Sequence, residues 1–511
     1  MLARVVSAAV LGVDAYLVDV EADISNGLPS FATVGLPQGA VREGRERVAS
    51  AIQNAGLDFP QQRITVNLAP ADIRKDGTAL DLPVALAVLA ASGQVRAEAL
   101  RGVVVCGELA LDGTLRPVRG ALSVAMAARA AAAQALLLPS ANVREAGVVE
   151  GLDVRAADSL AAVLRHLDGG PPLPRAAVDV AALFDAADPC AVDFAEVKGQ
   201  ALAKRALEVA AAGGHNALMV GPPGSGKTML ARRLSTILPR MELAEALETT
   251  RVHSVAGLLP PGAALVTRRP FRAPHHTISD AGLVGGGAVP RPGEVSLSHG
   301  GVLFLDELPE FRSNVLEALR QPLEDGVVTV SRAASTLTYP ARMLLVAAMN
   351  PCPCGRLGDA LRPCLCRPED VRRYRARISG PLLDRIDLHV EVPAVRPDEL
   401  GGSGAAEPSA EVRERVERAR ALQRERLAGR PGVFANAHMG PRDVRRHCAT
   451  SDGADAVLRS AVSRLGLSAR AYHRVLRVAR TIADLAASPR IEAAHVSEAV
   501  QYRSLDERAG R

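Results

Sequence analysis

The residues from Asn216 to Arg232 read Asn-Ala-Leu-Met-Val-Gly-Pro-Pro-Gly-Ser-Gly-Lys-Thr-Met-Leu-Ala-Arg. This is a short apolar strand pattern, then G-x-x-x-x-G-K-T, then the start of a helical pattern, which is the context that phosphate binding requires. The loop Gly221, Pro222, Pro223, Gly224, Ser225, Gly226 can turn backbone N–H groups inward on a phosphate, and the helix N-terminus adds partial positive charge. Lys227 is placed to reach the β/γ oxygens and Thr228 to ligate Mg²⁺. A second pair follows at the end of the apolar run Gly300-Gly-Val-Leu-Phe-Leu, where Asp306 and Glu307 are adjacent. Asp306 is expected to hold Mg²⁺ through its shell and Glu307 to polarise the attacking water as general base. Alone, Asp-Glu after a strand is as often a helix cap; downstream of a phosphate loop it reads as a hydrolytic pair.

Three further constellations carry chemistry. Asn350 ends the apolar run Met343 to Met349, where a carboxamide can orient the water or touch the γ-phosphate as a neutral donor. Arg385 lies in Ser379-Gly-Pro-Leu-Leu-Asp-Arg-Ile-Asp-Leu, an otherwise apolar stretch. It reads either as an intrachain ion pair with Asp384 or Asp387, or as an arginine finger reaching a neighbour's nucleotide, which requires a ring of subunits. Cys352, Cys354, Cys364 and Cys366 form C-x-C, nine residues, C-x-C. Four thiolates can close a tetrahedral Zn²⁺ site, with four reduced thiols in a surface loop as the alternative. Their place between Asn350 and Arg385 predicts that the loop braces Arg385. His275 and His276, adjacent and expected to point apart, read as polar loop residues.

These residues need elements to position them. At 511 residues the chain is too long for one core. Its first 168 residues alternate strand and helix patterns, with strands expected at Val5 to Val10, Arg63 to Leu68, Val103 to Cys106 and Ala135 to Leu138. Val41, Val48, Ala51 and Ile52 fall on one face of a helix over 41–55. Residues 169–190, opening on Gly-Gly-Pro-Pro-Leu-Pro, read as a linker. A second α/β domain is expected over 191–395, with the four-Cys insertion at 352–366. Gly401-Gly-Ser-Gly-Ala-Ala-Glu-Pro marks another break, and 405–511 shows helical periodicity alone.

Composition bounds the function. Aromatics make up 3% and Trp is absent, so base stacking is scarce and a nucleic acid would be held through its phosphates. The net charge of +5 is mild and decides nothing. Lys occurs only at 75, 198, 204 and 227, so a retained Lys hints at a need for a compact ammonium. Asp14 interrupts the apolar N-terminus before it can serve as a secretory signal, and no run is long enough to span a membrane. Seven Cys, four of them clustered, suit a reducing compartment, so a cytoplasmic protein is expected.

The order of Val197-Lys-Gly-Gln200, Phe271-Arg-Ala-Pro-His-His-Thr-Ile-Ser-Asp280, Arg291-Pro-Gly-Glu294, Asn350-Pro-Cys-Pro-Cys-Gly355 and Leu467-Ser-Ala-Arg-Ala-Tyr-His473 resembles the ComM (YifB-type) family of magnesium-chelatase-like AAA+ ATPases, over nearly the whole chain. The resemblance implies an α/β multidomain protein with an AAA+ P-loop core and a C-terminal helical lid. It also implies a hexameric helicase that uses ATP and Mg²⁺ to drive branch migration during integration of single-stranded DNA in natural transformation. By that likeness Asn350 takes the sensor 1 position, Lys198, Gly199 and Gln200 border the adenine, and Arg470, or Arg474 one turn on, is the sensor 2 arginine. Segments 267–274 and 327–338 occupy positions that project into the pore of related rings, so Arg268, Arg269, Arg272 and Arg332 are candidate DNA contacts.

The first domain is similar to the proteolytic domain of Lon, which uses a Ser/Lys dyad. In Lys75-Asp-Gly-Thr-Ala79-Leu-Asp-Leu the Ser position is Ala79, and Leu122 stands where the Lys should be. Neither supplies a nucleophile or a base, and no base is matched to Thr78, so peptide hydrolysis is excluded. Of the three classes in competition, the protease fails on those residues. A chelatase subunit delivering Mg²⁺ to a porphyrin remains the alternative to a DNA motor.

Overall fold

The alternation between Leu2 and Ser25 becomes a long hairpin in the computed structural model, which describes residues 1–185, 192–287, 290–332, 335–358, 362–394, 407–430 and 433–503. Strands β1 (Leu2–Leu11) and β2 (Asp14–Ser25) pair antiparallel from Leu2↔Asp23 to Leu11↔Asp14. Gly12 makes the turn at φ +66°, where a side chain is disfavoured. They join β3 (Ser30–Val34), β4 (Arg63–Ala69), β5 (Val103–Val105), β8 (Ala135–Pro139) and β9 (Asp153–Ala157) in a seven-stranded sheet of order β3-β4-β2-β1-β5-β8-β9. The short strands β6 (Glu108–Leu109) and β7 (Leu115–Arg116) form a separate ribbon.

Because side chains alternate along a strand, this sheet buries two faces. Ala3, Val5 and Ala9 share a core with the helix Asp81–Ala91, every residue of which is buried. Val6, Ala8 and Val10 share another with the helix Ala121–Ala130. The helix expected over 41–55 is broken at Glu43 into Gly39–Arg42 and Gly44–Asn54, yet Val41, Val48, Ala51 and Ile52 are all buried as its periodicity requires.

The chain divides into two units, and the first takes in Leu243–Thr267 and Ser331–Tyr339 as well as Met1–Ala187. The helix Leu243–Ala256 sits in it because Ser254 Oγ accepts from the Gly120 N–H at 2.9 Å, while Arg251 bonds the Val13 carbonyl at 2.9 Å and pairs with Asp14. Part of the stretch read as a linker is structured. The Ala156 N–H donates to the Pro174 carbonyl and the Ala176 N–H to the Val154 carbonyl, both at 2.8 Å, and Leu173 is buried. Residues 186–191, at the end of that stretch, lie outside the described residues, as do 401–406 of the second expected break.

The second unit holds a five-stranded, all-parallel sheet, β11-β14-β17-β10-β18, built from β10 (Ala217–Val220), β11 (Phe271–Arg272), β14 (Val302–Leu305), β17 (Leu344–Met349) and β18 (Leu388–Glu391). Covered on both faces, its central strands are apolar without alternation, and all residues of β10, β14 and β17 are buried. Two ribbons flank this core in sequence, β12 (Gly285–Gly286) with β13 (Arg291–Pro292) and β15 (Val327–Arg332) with β16 (Ser335–Pro340). Beyond residue 406 the described residues form helices and no strand: Ser409–Arg426, Pro441–His447, Asp452–Leu465, Ala469–Leu485 and Ala493–Gln501. A buried polar joint ties these helices to the sheet. His215 contacts Asp387 Oδ2 at 3.2 Å and Thr481 Oγ1 at 2.8 Å.

Candidate active site

Three strands deliver phosphate chemistry to one edge of the five-stranded sheet. β10 ends at Val220 ahead of the loop 221–226, β14 at Leu305 ahead of Asp306 and Glu307, and β17 at Met349 ahead of Asn350. In an open parallel sheet, the crevice beyond the carboxyl ends of the strands is the ligand site. Gly221 admits no side chain there, since a Cβ would lie 2.0 Å from the Val392 carbonyl oxygen. The ammonium of Lys227, only 8% exposed, donates to the carbonyls of Gly221 at 2.7 Å and Pro222 at 2.8 Å and to Asn350 Oδ1 at 3.4 Å. Burial lowers its pKa, against the opposing pull of Asp306 and Glu307. Thr228 Oγ1 donates to Asp306 Oδ2 at 2.6 Å, so two hard oxygen ligands of the kind Mg²⁺ prefers are already together.

Glu307 takes a left-handed backbone, φ +53°, with its N–H donating to Asp306 Oδ1 at 3.0 Å. A non-glycine residue there costs about 1 kcal/mol or more, and such positions cluster at active sites. The Glu307 carboxylate lies 3.5 Å from His276 Nδ1. The two histidines do not point apart: the Ile278 N–H bonds the His275 carbonyl in a turn, and their rings lie 4.0 Å apart at 35°. His276 also packs edge-on against Phe311. The turn thus brings His276 to the general-base candidate, a role the sequence reading did not give it.

Lys198 and Gly199 lead into Gln200, whose left-handed backbone starts the helix Ala201–Gly213. The Gln200 amide donates to the Pro393 carbonyl at 2.5 Å and the Ser225 carbonyl at 3.4 Å, tying this segment to the phosphate loop.

Arg385 belongs to the opposite edge. It precedes β18, and its carbonyl accepts from Asn216 Nδ2 at 3.0 Å, where Asn216 immediately precedes β10. The four residues of β10 separate it from the phosphate loop by about 13 Å at the rise of a strand. Its guanidinium pairs with Glu324, not with Asp384 or Asp387, and donates to the Pro381 carbonyl at 2.7 Å. Asp387 instead pairs with Arg474 at 3.7 Å. Arg385, Arg470 and Arg474 all line one cavity of about 560 Å³ together with Glu324, and no residue of the phosphate loop lines it. Arg385 first, and Arg470 beyond it, hold the Glu324 carboxyl below the usual carboxylate range.

The four cysteines converge, with each offering a sulfur within 4.8 Å of the others and three pairs at 3.4, 3.6 and 3.6 Å. Backbone N–H groups of Arg356 and Leu365 hold the Cys354 thiol well below the usual thiol range. The sequence predicts that this loop braces Arg385; among the described residues Arg385 bonds Glu324 and Pro381 through its guanidinium and Asn216 through its carbonyl, and none of these lies in the loop. A Cβ on Gly355 would lie 2.6 Å from Pro223 of the phosphate loop and 3.8 Å from the Asn350 side chain, so the cysteines lean on the nucleotide edge.

Two of the candidate DNA contacts are committed elsewhere. Arg269 donates to the carbonyls of Pro239, Gly300 and Arg240, and Arg272 grips Glu294 through two bonds of 2.6 and 2.7 Å. Arg268 is exposed, and the Arg332 side chain lies outside the described residues. In the first unit Leu122 is fully buried in the core and Thr78 bonds Glu108. Among the described residues no helix is long and apolar enough to cross a membrane.

Comparison with known proteins spans the chain. The family described as "Magnesium chelatase, subunit ChlI" matches residues 193–400, "Subunit ChlI of Mg-chelatase" 20–142, and "Magnesium chelatase, subunit ChlI C-terminal" 406–503. Competence protein ComM of Haemophilus influenzae is 46% identical over 511 residues, covering 99% of this chain and 98% of its own. The uncharacterized protein YifB of Salmonella typhimurium is 45% identical over 512 residues, 99% of this chain and 97% of its own. The magnesium-chelatase 38 kDa subunit of Rhodobacter capsulatus is 26% identical over 221 residues, 40% of this chain and 56% of its own.

Proposed function

The chain belongs to the ComM/YifB-type family of magnesium-chelatase-like AAA+ ATPases, which implies hydrolysis of ATP with Mg²⁺, and on that premise we propose that it is a ring-forming DNA motor driving branch migration during recombination of incoming single strands. The observation that carries the ring is the division of the site between opposite edges of one sheet. Lys227, Thr228, Asp306, Glu307 and Asn350 gather at the carboxyl ends of the strands, while Arg385, Arg470 and Arg474 gather behind their amino ends. One subunit cannot bring both sets to one phosphate, so the arginines serve a neighbour's nucleotide. A heterologous interface of this kind closes into a ring, and a hexamer is the expected size.

Within a subunit, Lys227 and the loop amides bind the β/γ-phosphates, and Thr228 and Asp306 would hold the Mg²⁺ that neutralises phosphate charge when bound. Glu307, steadied by His276, takes the proton of the attacking water, and Asn350 positions that water or the γ-phosphate. The neighbour's Arg385 stabilises the charge that develops on the transferred group. The cysteine sulfurs fit a zinc tetrahedron, in which bonds of about 2.3 Å set sulfurs about 3.8 Å apart. Zinc there would act as a cross-link, and metal analysis of the purified chain should find a single zinc that leaves on mutation of Cys352 and Cys364. The N-terminal unit, Lon-like and without protease chemistry, serves as a scaffold or as a DNA-contacting module.

The DNA reading over the chelatase reading rests on full-length similarity to a competence protein against partial similarity to chelatase subunits. The test is migration of labelled three- and four-stranded junctions by wild type, Lys227→Ala and Glu307→Gln. Glu307→Gln should bind ATP and DNA yet neither hydrolyse nor migrate, with hydrolysis down at least about 100-fold. Junctions that wild type leaves in place, together with porphyrin metallation in the presence of partner subunits, would instead establish the chelatase reading.

A further inference from the structure

Around the four cysteines the chain carries more arginine than its fold consumes. Arg356, Arg362, Arg367, Arg372, Arg373, Arg375 and Arg377 fall within 22 residues. Arg375 is spent on the Pro351 carbonyl, Arg377 on Glu310, and Arg373 is shared with Asp370 at 3.9 Å. Arg362, Arg367 and Arg372 are exposed, and among the described residues no hydrogen bond or ion pair engages their side chains. The acids described on the same segment are Glu369 and Asp370, both in the first turn of the helix Pro368–Arg375, where they also answer its dipole. The tip between the cysteines presents Leu365 at 82% exposure.

The base of the same loop touches the nucleotide machinery. Asn350 immediately precedes it, Cys352 is fully buried, and Gly355 closes on both Pro223 and Asn350. An exposed cationic tip is thereby joined, through a loop whose four thiols converge, to the phosphate loop and to the side chain bonded to Lys227. We propose that the four-cysteine loop is a nucleic-acid phosphate contact, made through Arg362, Arg367 and Arg372, that transmits DNA engagement to the Asn350 and Pro223 edge of the nucleotide site. The inference rests on the DNA-motor reading and adds to it the surface by which DNA would stimulate hydrolysis. Arginine suits this because its planar fork takes two phosphate oxygens at once, and DNA supplies such oxygens at every step.

The experiment uses the full chain, a labelled forked DNA and a salt titration of binding, alongside ATPase with and without DNA. Each phosphate contact contributes about 0.7 to 0.9 to the slope of log K against log salt. The triple variant Arg362→Ala/Arg367→Ala/Arg372→Ala should lose about 2 to 3 from that slope and most of the DNA stimulation. Its ATPase without DNA should stay at the wild-type level. The triple Lys variant should recover the slope, because a point charge suffices to release counterions. Arg367→Glu alone, at an exposed position, guards against misfolding of the triple variant and should weaken DNA binding in the same direction. A wild-type salt slope with wild-type stimulation in the triple variant overturns the proposal and leaves the motor reading standing. So does a variant that keeps both but changes assembly size in sedimentation, which would make the tip a contact between copies. Absence of any DNA binding by wild type overturns the motor reading and the inference together.

Discussion

At the scale of residues, the placement of the candidate catalytic set at strand ends was legible because each member follows strands that announce themselves. Lys227, Asp306, Glu307 and Asn350 each follow an apolar run, so their type and position could be read together. Partners distant in sequence were not legible. Glu324 is 61 residues from Arg385, and nothing local marks it as the acid that holds that guanidinium, whereas the nearer Asp387 goes to Arg474. Likewise a charge in a sequence does not disclose whether it is spent, which is why Arg269 and Arg272 read as phosphate contacts until their carbonyl and carboxylate partners appear. The Glu324 pair is half-exposed on its acid side, so it stabilises the fold by no more than about 1 kcal/mol. Glu324→Gln should therefore leave the melting temperature nearly unchanged. By releasing Arg385 toward a neighbour, it should lower the ATP concentration for half-maximal hydrolysis by up to about five-fold, the factor that 1 kcal/mol provides. A rise in that concentration in steady-state assays would count against Glu324 holding Arg385 back from the neighbour. His276→Ala should lower the turnover number while leaving nucleotide affinity intact, since His276 touches Glu307 and not the phosphate loop.

At the scale of elements, the parallel core was legible in its unbroken apolar runs, and the first sheet in its alternation. What sequence did not convey was the affiliation of the helix Leu243–Ala256, whose periodicity fits either unit and is settled by Ser254 and Arg251 bonding to residues more than 100 positions away. The joint between β18 and the C-terminal helices also has a pH signature. His389, in β18 and 2% exposed, has its pKa pushed down to about 3, by burial first and by Arg503 next. The unfolded chain binds a proton there near pH 6.5 and the folded one does not, so stability falls as pH drops through the window between about 6.5 and 3. At pH 5 the loss from this group is about 2 kcal/mol relative to pH 8. Denaturant unfolding at both pH values should show it, and His389→Gln should reduce the difference by about this amount, with His215, whose pKa burial also lowers, keeping its share.

At the scale of the whole molecule, the proposed split site would make activity a property of neighbours. Lys227→Ala lacks phosphate binding and Arg385→Ala lacks the finger, so each alone should be inactive. Mixed one to one, they should recover roughly a quarter of wild-type hydrolysis, because an Arg385→Ala subunit beside a Lys227→Ala subunit has a complete site on one of its flanks. Recovery in a mixture is a result that a site complete within one chain cannot produce. Mixtures that stay dead would return Arg385 to a structural role, held by Glu324 for stability alone.

The sheet that separates the two sets of residues has a consequence for how such an assembly fires. In the proposed ring each subunit would be a strut with its own fuel at one end and its neighbour's trigger at the other, so that no subunit could spend ATP on its own account. An assembly open at one seam then carries one nucleotide that is held without being split, and the seam is a pause point. Moving the seam by one subunit arms that nucleotide and disarms the next, so the order of firing follows from geometry before any DNA is gripped.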